Sequence, residues 1–139
     1  MKLLTKKTDY TIRALLYLTM NPYNFVSSKT ISEVDKIPLQ FLRRILQTLT
    51  KENFVISKEG ISGGVKLKKD PYKIKLTKLM EIFQGNVKFT DCLLRKKLCH
   101  NRSKCVLRKR IKKVENKVID ELKNITIGTL IDDIKKADS

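Results

Sequence analysis

The most constraining feature of this sequence is a tight turn between two short helical patterns that are followed by a glycine-bearing hairpin. Ser27-Ser28 offers an N-cap for a short helix, and Asp35-Lys36-Ile37 forms the turn. Pro38 then stands at the first position of the next helix, where its missing N–H costs nothing. Apolar spacing predicts another helix over residues 8–20, with Thr8 or Asp9 as its cap or in its first turn. Three helices in this order predict a helix-turn-helix.

Two short strands are predicted directly after the third helix. Residues 54–57 are β-branched and aromatic, and residues 65–68 alternate between apolar and basic side chains. The segment between them contains glycine and favours a hairpin loop. The expected fold is therefore mainly α with a small two-stranded β-wing, a winged helix-turn-helix. The buried faces of helices two and three are predicted to carry Ile31, Val34, Leu42, Ile45, Leu46 and Leu49.

The C-terminal part of the chain predicts a long helix with one apolar seam. Thr77 is expected to cap a helix that Gly85 closes, and Thr126 to cap the last helix. We divide the chain into a DNA-binding domain (1–85), a cysteine segment (86–105) and a dimerisation region (106–139). A seam on a protruding helix favours a homodimer, and packing onto its own domain is the alternative. The seam consists of Leu107, Ile111, Val114, Val118, Leu122 and Ile125.

The charge balance points to a polyanionic partner. The 139 residues include 31 Lys and Arg against 14 Asp and Glu, a net charge of +17, while 41% hydrophobic residues suffice for a core. Nucleic acid is the expected partner, and a lysine-rich genome is the alternative explanation. The longest apolar run is far shorter than the roughly 20 residues that span a bilayer. Without a secretory signal, we expect a cytoplasmic, nucleoid-associated protein and no membrane partner.

The exposed side of the third helix is predicted to contact base edges in the DNA major groove. Arginine can bond bidentately to guanine, and glutamine to adenine. Wing lysines can neutralise phosphates. A solvated basic helix face is the alternative. The predicted DNA-binding residues are Gln40, Arg43, Arg44 and Gln47 on the helix, with Lys58 and Lys66 on the wing.

All three cysteines of the chain lie within fourteen residues, at Cys92, Cys99 and Cys105, and His100 follows the second. Thiolates bind Zn²⁺ or iron–sulfur clusters, and the Lys and Arg residues around them offset the charge of an anionic cluster. The spacing is wider than in most zinc fingers, so zinc, held by these cysteines and His100, is the weaker alternative. Three unrelated free thiols are the remaining possibility.

Several stretches together resemble the IscR/NsrR-type bacterial regulators over nearly the whole chain. The resemblance implies a dimeric winged-helix transcription factor that binds a 2Fe–2S or 4Fe–4S cluster and usually represses. It would sense redox state, nitric oxide or iron–sulfur status on a partly palindromic operator. It assigns Cys92, Cys99 and Cys105 as cluster ligands. The matching stretches are residues 4–15, 37–46, 60–64 and 124–130.

Two positions depart from this family pattern. Glu59 stands where an IscR-like wing has an arginine, so Lys58 is left to replace it. Arg108 stands where the IscR-like subgroup has a histidine ligand. In the NsrR-like subgroup a carboxylate near the N-terminus serves instead, and Asp9 occupies that place, able to ligate from the partner subunit. His100 is the less favoured fourth ligand, because adjacent side chains on an extended segment point apart.

Three functions compete at this point. The first is a cluster-sensing repressor, and the second is a DNA-binding protein with structural zinc. The third is a metal-free protein that regulates by docking to a partner protein. With one histidine in the chain, no Ser/His/Asp arrangement and no phosphate-cradling glycine loop, we predict no enzymatic activity.

Overall fold

The computed structural model describes residues 3–87 and 105–138 of the chain. The winged helix-turn-helix predicted from the sequence is confirmed. Helices α1 to α3 form the helix-turn-helix, a two-stranded antiparallel sheet follows, and α4 to α6 complete the described part. The elements are α1 Lys6–Met20, α2 Ser28–Asp35, α3 Leu39–Lys51, β1 Val55–Lys58, β2 Gly64–Leu67, a 3₁₀ turn Pro71–Lys73, α4 Leu76–Gln84, α5 Val106–Leu122 and α6 Ile127–Ala137.

Helix α1 begins earlier than the sequence pattern predicted. Thr5, not Thr8 or Asp9, is the N-cap, and its hydroxyl oxygen accepts from the Thr8 N–H at 3.3 Å. Thr8 is fully buried instead, and its hydroxyl donates to Gln84 Oε1 at 2.6 Å. Asp9 therefore lies in the first turn, where a carboxylate complements the positive end of the helix.

The turn between α2 and α3 contains the predicted residues, but the next helix begins one residue later than predicted. Lys36 adopts a left-handed conformation with φ 54°, which ends α2. Pro38 is the N-cap of α3 rather than its first residue, because helical geometry begins at Leu39. Val34, predicted to face inward, is 56% exposed, whereas Ile31 is fully buried. A helix of eight residues has one narrow inner face, which Ile31 occupies.

The core is built around α3, whose four predicted apolar residues are all buried. Asn53 adopts a left-handed conformation, with φ 65°, and leads the chain from α3 into the sheet. Apolar residues from α1, α2, the sheet and α4 close the same core. The largest fully buried side chains include Leu15, Leu18, Ile31, Leu42, Ile45, Leu49, Phe54, Leu79 and Met80.

The sheet places the wing beside the start of α2. Strands β1 and β2 pair with Ile56 opposite Lys66 and Lys58 opposite Gly64. The limits of both strands differ by one residue from the predicted limits. Val26 adds an isolated bridge to the outer edge of β2, with two hydrogen bonds of 2.8 Å to Val65. The wing is thereby fixed to the α1–α2 loop.

The C-terminal elements are joined to the domain by a backbone bridge. The Leu76 N–H donates to the Ile125 carbonyl at 2.9 Å, and the Ile127 N–H donates to the Ile74 carbonyl at 3.0 Å. Helix α4 begins at Leu76 after an N-cap at Lys75, so the predicted cap at Thr77 is wrong. The predicted cap at Thr126 is confirmed by a capping box with Thr129.

The predicted seam of α5 divides into two halves. Leu122 is buried, and Val118 packs against the core of its own domain, which is the alternative considered above. Toward the other end, Leu107 is 66% exposed and Val114 is 49% exposed. Among residues 3–87 and 105–138, no helix is long and apolar enough to cross a membrane.

Candidate nucleic-acid interface

Helix α3 is amphipathic, and its polar side is exposed. The four predicted base-reading residues all lie on this side, because a 3.6-residue period separates them from the buried stripe. The start of the helix is fixed to α1 by the edge-to-face packing of Phe41 on Tyr10, with ring centroids 5.5 Å apart. The exposed residues are Gln40, Arg43, Arg44 and Gln47.

A cleft of about 360 Å³ separates α3 from the wing. Arg43 and Gln47 form its α3 wall, and Gly64 belongs to its wing wall. Hydroxyl groups complete the lining at Ser28, Thr50 and Ser57, and Thr50 and Ser57 lie 2.7 Å apart. The grouping of these hydroxyls could not be predicted from the sequence, because the polar residues of three separate elements share no sequence period.

The hydroxyl hydrogens of this cleft can be assigned from its contacts. Thr50 donates its single hydroxyl hydrogen to the Leu46 carbonyl at 2.8 Å. It must therefore accept from Ser57, whose hydroxyl hydrogen is used in that contact. Arg43 and Gln47 remain as the donors of the α3 wall. This wall can thus contact an anionic or acceptor-rich surface.

The two predicted wing lysines lie on one face of the sheet. Lys58 is exposed and Lys66 is half-buried, and both ammonium groups lie near the ring of Phe25. In the part of the chain that the structure describes, neither lysine forms an ion pair. Phe25 was missed at the sequence level, because its contacts depend on the bridge between Val26 and the wing.

Two of the five predicted metal ligands lie within the described residues. Cys105 is a half-buried free thiol at the N-cap of α5. Asp9 pairs with Arg13, with 3.2 Å between Oδ2 and Nε. Cys92, Cys99 and His100 lie outside the described residues.

A cluster of hydrogen-bonded polar groups joins the first turn of α1 to the end of α4, where the cysteine segment begins. Gln84 accepts from the Thr5 N–H at 3.1 Å and from the Thr8 hydroxyl. Its side-chain amide donates to the Leu3 carbonyl at 2.7 Å. Gln84 could not be predicted from the sequence, because an isolated glutamine before a glycine has no distinguishing pattern. The cluster fixes the helix that carries Asp9.

Asp35, the last residue of α2, lies next to the turn that precedes α3. Its Oδ2 is buried and has no hydrogen-bond partner within the described residues. Burial raises the pKa of Asp35, and the nearby charge of Arg13 lowers it by a smaller amount. The electrostatic environment of the turn therefore includes an arginine that also pairs with Asp9.

These features define the class of protein. A helix-turn-helix with an exposed basic face, a wing beside it and a polar cleft between them is a winged-helix DNA-binding arrangement. Residues 4–133 match the family model Rrf2, described as an iron-dependent transcriptional regulator. The chain therefore belongs to the Rrf2 family of transcriptional regulators.

Individual relatives agree with this assignment. The chain is 30% identical to the HTH-type transcriptional regulator IscR of Vibrio cholerae over 131 residues, covering 94% of this chain and 75% of the relative. It is 30% identical to NsrR of Shouchella clausii over 93 residues, covering 66% and 62% respectively. The solved structure of T. potens IscR superposes with a TM-score of 0.77 at 24% identity, covering 100% of this chain and 92% of the other. This last likeness shows the shared fold.

Proposed function

We propose that this Rrf2-family regulator is a homodimeric repressor whose DNA binding is controlled by an iron–sulfur cluster. The observation that carries the proposal is the grouping of all three cysteines directly before α5, in a chain whose family description names iron dependence. When bound, the cluster would supply a redox- and nitric-oxide-sensitive centre. The relatives named above are transcriptional regulators, and we propose regulation rather than catalysis.

Cys92, Cys99 and Cys105 are the proposed thiolate ligands. The position of Cys105 supports the proposal, because its sulfur lies at a helix N-terminus and Lys109 follows in the first turns of α5. An anionic cluster is favoured by both features. Whether the cluster is 2Fe–2S or 4Fe–4S follows from iron and sulfide content.

Asp9 is the proposed fourth ligand, reached from the partner subunit, with His100 as the less favoured alternative. Its carboxylate is accessible, with 44% of the side chain exposed, and Arg13 is its partner in the described structure. Iron binding would have to replace that ion pair. A carboxylate is a hard ligand in a thiolate site, so it is the bond that nitric oxide or oxygen would displace first.

Anaerobic purification tests the cluster proposal. Visible absorption together with equal iron and sulfide is expected for the native protein, and both should be lost in Cys105→Ser. A colourless protein that contains zinc would instead support a structural zinc at Cys92, Cys99, His100 and Cys105. A protein without metal that binds a partner protein would support the docking alternative.

The fourth ligand is tested with two matched variants. Asp9→Ala should alter the spectrum and shorten the lifetime of the reconstituted cluster, whereas His100→Ala should leave both unchanged. The opposite result would assign the ligand to His100. Thermal unfolding of both apo variants controls for the contribution of Asp9 to the N-terminus of α1, which is worth about 0.3–1 kcal/mol.

The exposed half of the α5 seam is the proposed dimer contact. Val106 is 75% exposed, and Leu107 and Val114 lie on the same half of the helix. Such exposed apolar side chains are typical of a helix that pairs with a second copy. Val114→Glu should yield monomers in sedimentation, because an unpaired charge would be buried. Asn116→Glu places the same charge on another face of α5 and should remain dimeric; a dimeric Val114→Glu would refute the contact.

DNA recognition is proposed to use α3 in the major groove, with the two subunits on successive half-sites of a partly palindromic operator. Arg43→Ala should weaken binding to a duplex obtained by selection by about 1–3 kcal/mol and relax its specificity. Lys78→Ala on α4 removes an equal charge outside the cleft lining and should keep the specificity. Equal losses on selected and random duplexes would make Arg43 a phosphate contact.

A further inference from the structure

The outer face of the wing carries an aromatic ring between two cations. Lys66 and Ile56 are paired in the sheet, and Lys58 is two residues from Ile56, so both lysines lie on the same face. The pairing of Val26 with Val65, continued by one residue, places Phe25 opposite Lys66. The two ammonium groups lie 5.7 Å and 5.9 Å from the centroid of the Phe25 ring.

We propose that Phe25 is a positioning residue for DNA binding, which holds the ammonium groups of Lys58 and Lys66 toward the phosphate backbone. The inference rests on the proposed DNA interface of α3 and the wing. Aromatic faces attract cations within about 6 Å of the ring centroid, and a lysine stem is otherwise flexible. Two like charges near one ring would separate if the ring did not attract both.

The placement of these lysines suits a phosphate contact. Lys58 is paired with Gly64, and Gly64 lines the cleft opposite Arg43. With α3 in the major groove, the DNA strand that borders this groove runs along the cleft between α3 and the wing. Its phosphates then pass the end of the sheet where Lys58 lies. In the described structure neither ammonium group is neutralised by a carboxylate, so both charges are available to phosphate.

The ring of Phe25 can be changed without removing the wing attachment. That attachment consists of the backbone hydrogen bonds between Val26 and Val65, in which the Phe25 side chain takes no part. The ring is half-buried and lines a cavity of about 800 Å³ between the α1–α2 loop and the tip of the wing. Tyr23 lines the same cavity and is 87% exposed, and among the described residues its ring forms no cation–π contact with either lysine.

The test measures binding to a mixed-sequence duplex of about three helical turns by fluorescence anisotropy over a series of salt concentrations. Phe25→Leu should weaken binding roughly three- to tenfold and reduce the salt slope by about one, since each phosphate contact contributes about 0.9. Phe25→Tyr keeps the aromatic face and should restore the native slope. Tyr23→Leu should match the native protein. Unchanged thermal unfolding of Phe25→Leu would show that weaker binding comes from the positions of the two lysines and not from a loss of stability.

A double-mutant cycle completes the test. Lys58→Gln with Lys66→Gln should lower the salt slope in the native background and change it much less in the Phe25→Leu background. Additive losses, or a native slope in Phe25→Leu, would overturn the positioning role. An unchanged slope after both lysine substitutions would overturn the proposed wing contact together with this inference. Loss of specificity in Arg43→Ala reports on α3 alone. A failure of the proposed α3 interface can therefore be distinguished from a failure of the proposed role of Phe25.

Discussion

Gly64 is the residue whose replacement should most clearly separate the wing from the rest of the domain. Its φ of 150° is in the region that favours glycine, and a Cβ there would lie 2.2 Å from the carbonyl oxygen of Val26. All three of the atoms nearest to this Cβ are backbone atoms, two of Val26 and one of Ser27. No side-chain rotation can relieve the clash, so Gly64→Ala must move the α1–α2 loop away from the wing.

The expected loss in the free energy of unfolding follows from the hydrogen bonds that this movement breaks and from backbone strain. The two hydrogen bonds between Val26 and Val65 would be lost, at about 0.5–1.5 kcal/mol each. Strain at positive φ adds about 1–2 kcal/mol. The free energy of unfolding should therefore fall by about 2–5 kcal/mol. Gly60 is a matched control, because its φ is 109° and a Cβ there meets nothing within 4 Å. Gly60→Ala should cost the strain alone.

Urea and thermal unfolding at equal protein concentration measure the difference between Gly64→Ala and Gly60→Ala. We expect Gly64→Ala to be less stable by a further 1–3 kcal/mol, or about 3–12 °C in Tm for a domain of this size. Its DNA affinity should also fall, because the wing loses its position beside the cleft. If the two variants unfold at the same temperature, the bridge at Val26 does not hold the wing and the reasoning is refuted.

Two other perturbations follow from single contacts. In Gly128→Ala the new Cβ would lie 2.4 Å from the Tyr72 ring, so the ring must move and the Tyr72 hydroxyl must lose its hydrogen bond to Asp132. The free energy of unfolding should therefore fall by about 1 kcal/mol. Urea unfolding measures this loss, and Tyr72→Phe, which removes only the hydrogen bond, shows whether displacing the ring costs more. Because burial raises the pKa of Asp35 above the ordinary 3.8, its carboxylate destabilises the fold as the pH rises through the raised pKa. Asp35→Asn should therefore raise Tm at neutral pH, with the gain vanishing below the ordinary pKa, and a gain that does not depend on pH would contradict this account.

The helix-turn-helix could be predicted from the sequence because its signals are local. The apolar stripe of α3 repeats with the helical period, and all four of its residues are buried as expected. Asn53, which adopts positive φ just after α3, is of a residue type that tolerates this conformation better than most, so this signal is local too. The polar face of α3 followed from the same period, which is why its candidate base-reading residues were found exposed.

The wrong predictions arose where a local sequence pattern was compatible with more than one structure. Several threonines near a helix start can each serve as a cap, and the choice of Thr5 over Thr8 depends on Gln84, which is 76 residues beyond Thr8. Val34 lies in a helix of eight residues, too short for periodicity to fix an inner face. The α5 seam has one continuous pattern, yet among the described residues only its Leu122 end packs on the domain core, because burial depends on what lies opposite.

The sequence alone determined the class of fold, the basic face of α3 and the grouping of the cysteines, since each depends on residue type and short-range spacing. Only the tertiary structure decided what surrounds these features. Examples are the bridge between Val26 and Val65, the ring of Phe25 beside two wing lysines, and the approach of Arg13 to Asp35. Most of these contacts join residues far apart in the chain, and their energies depend on distance and burial, which local patterns of hydrophobicity and charge do not encode.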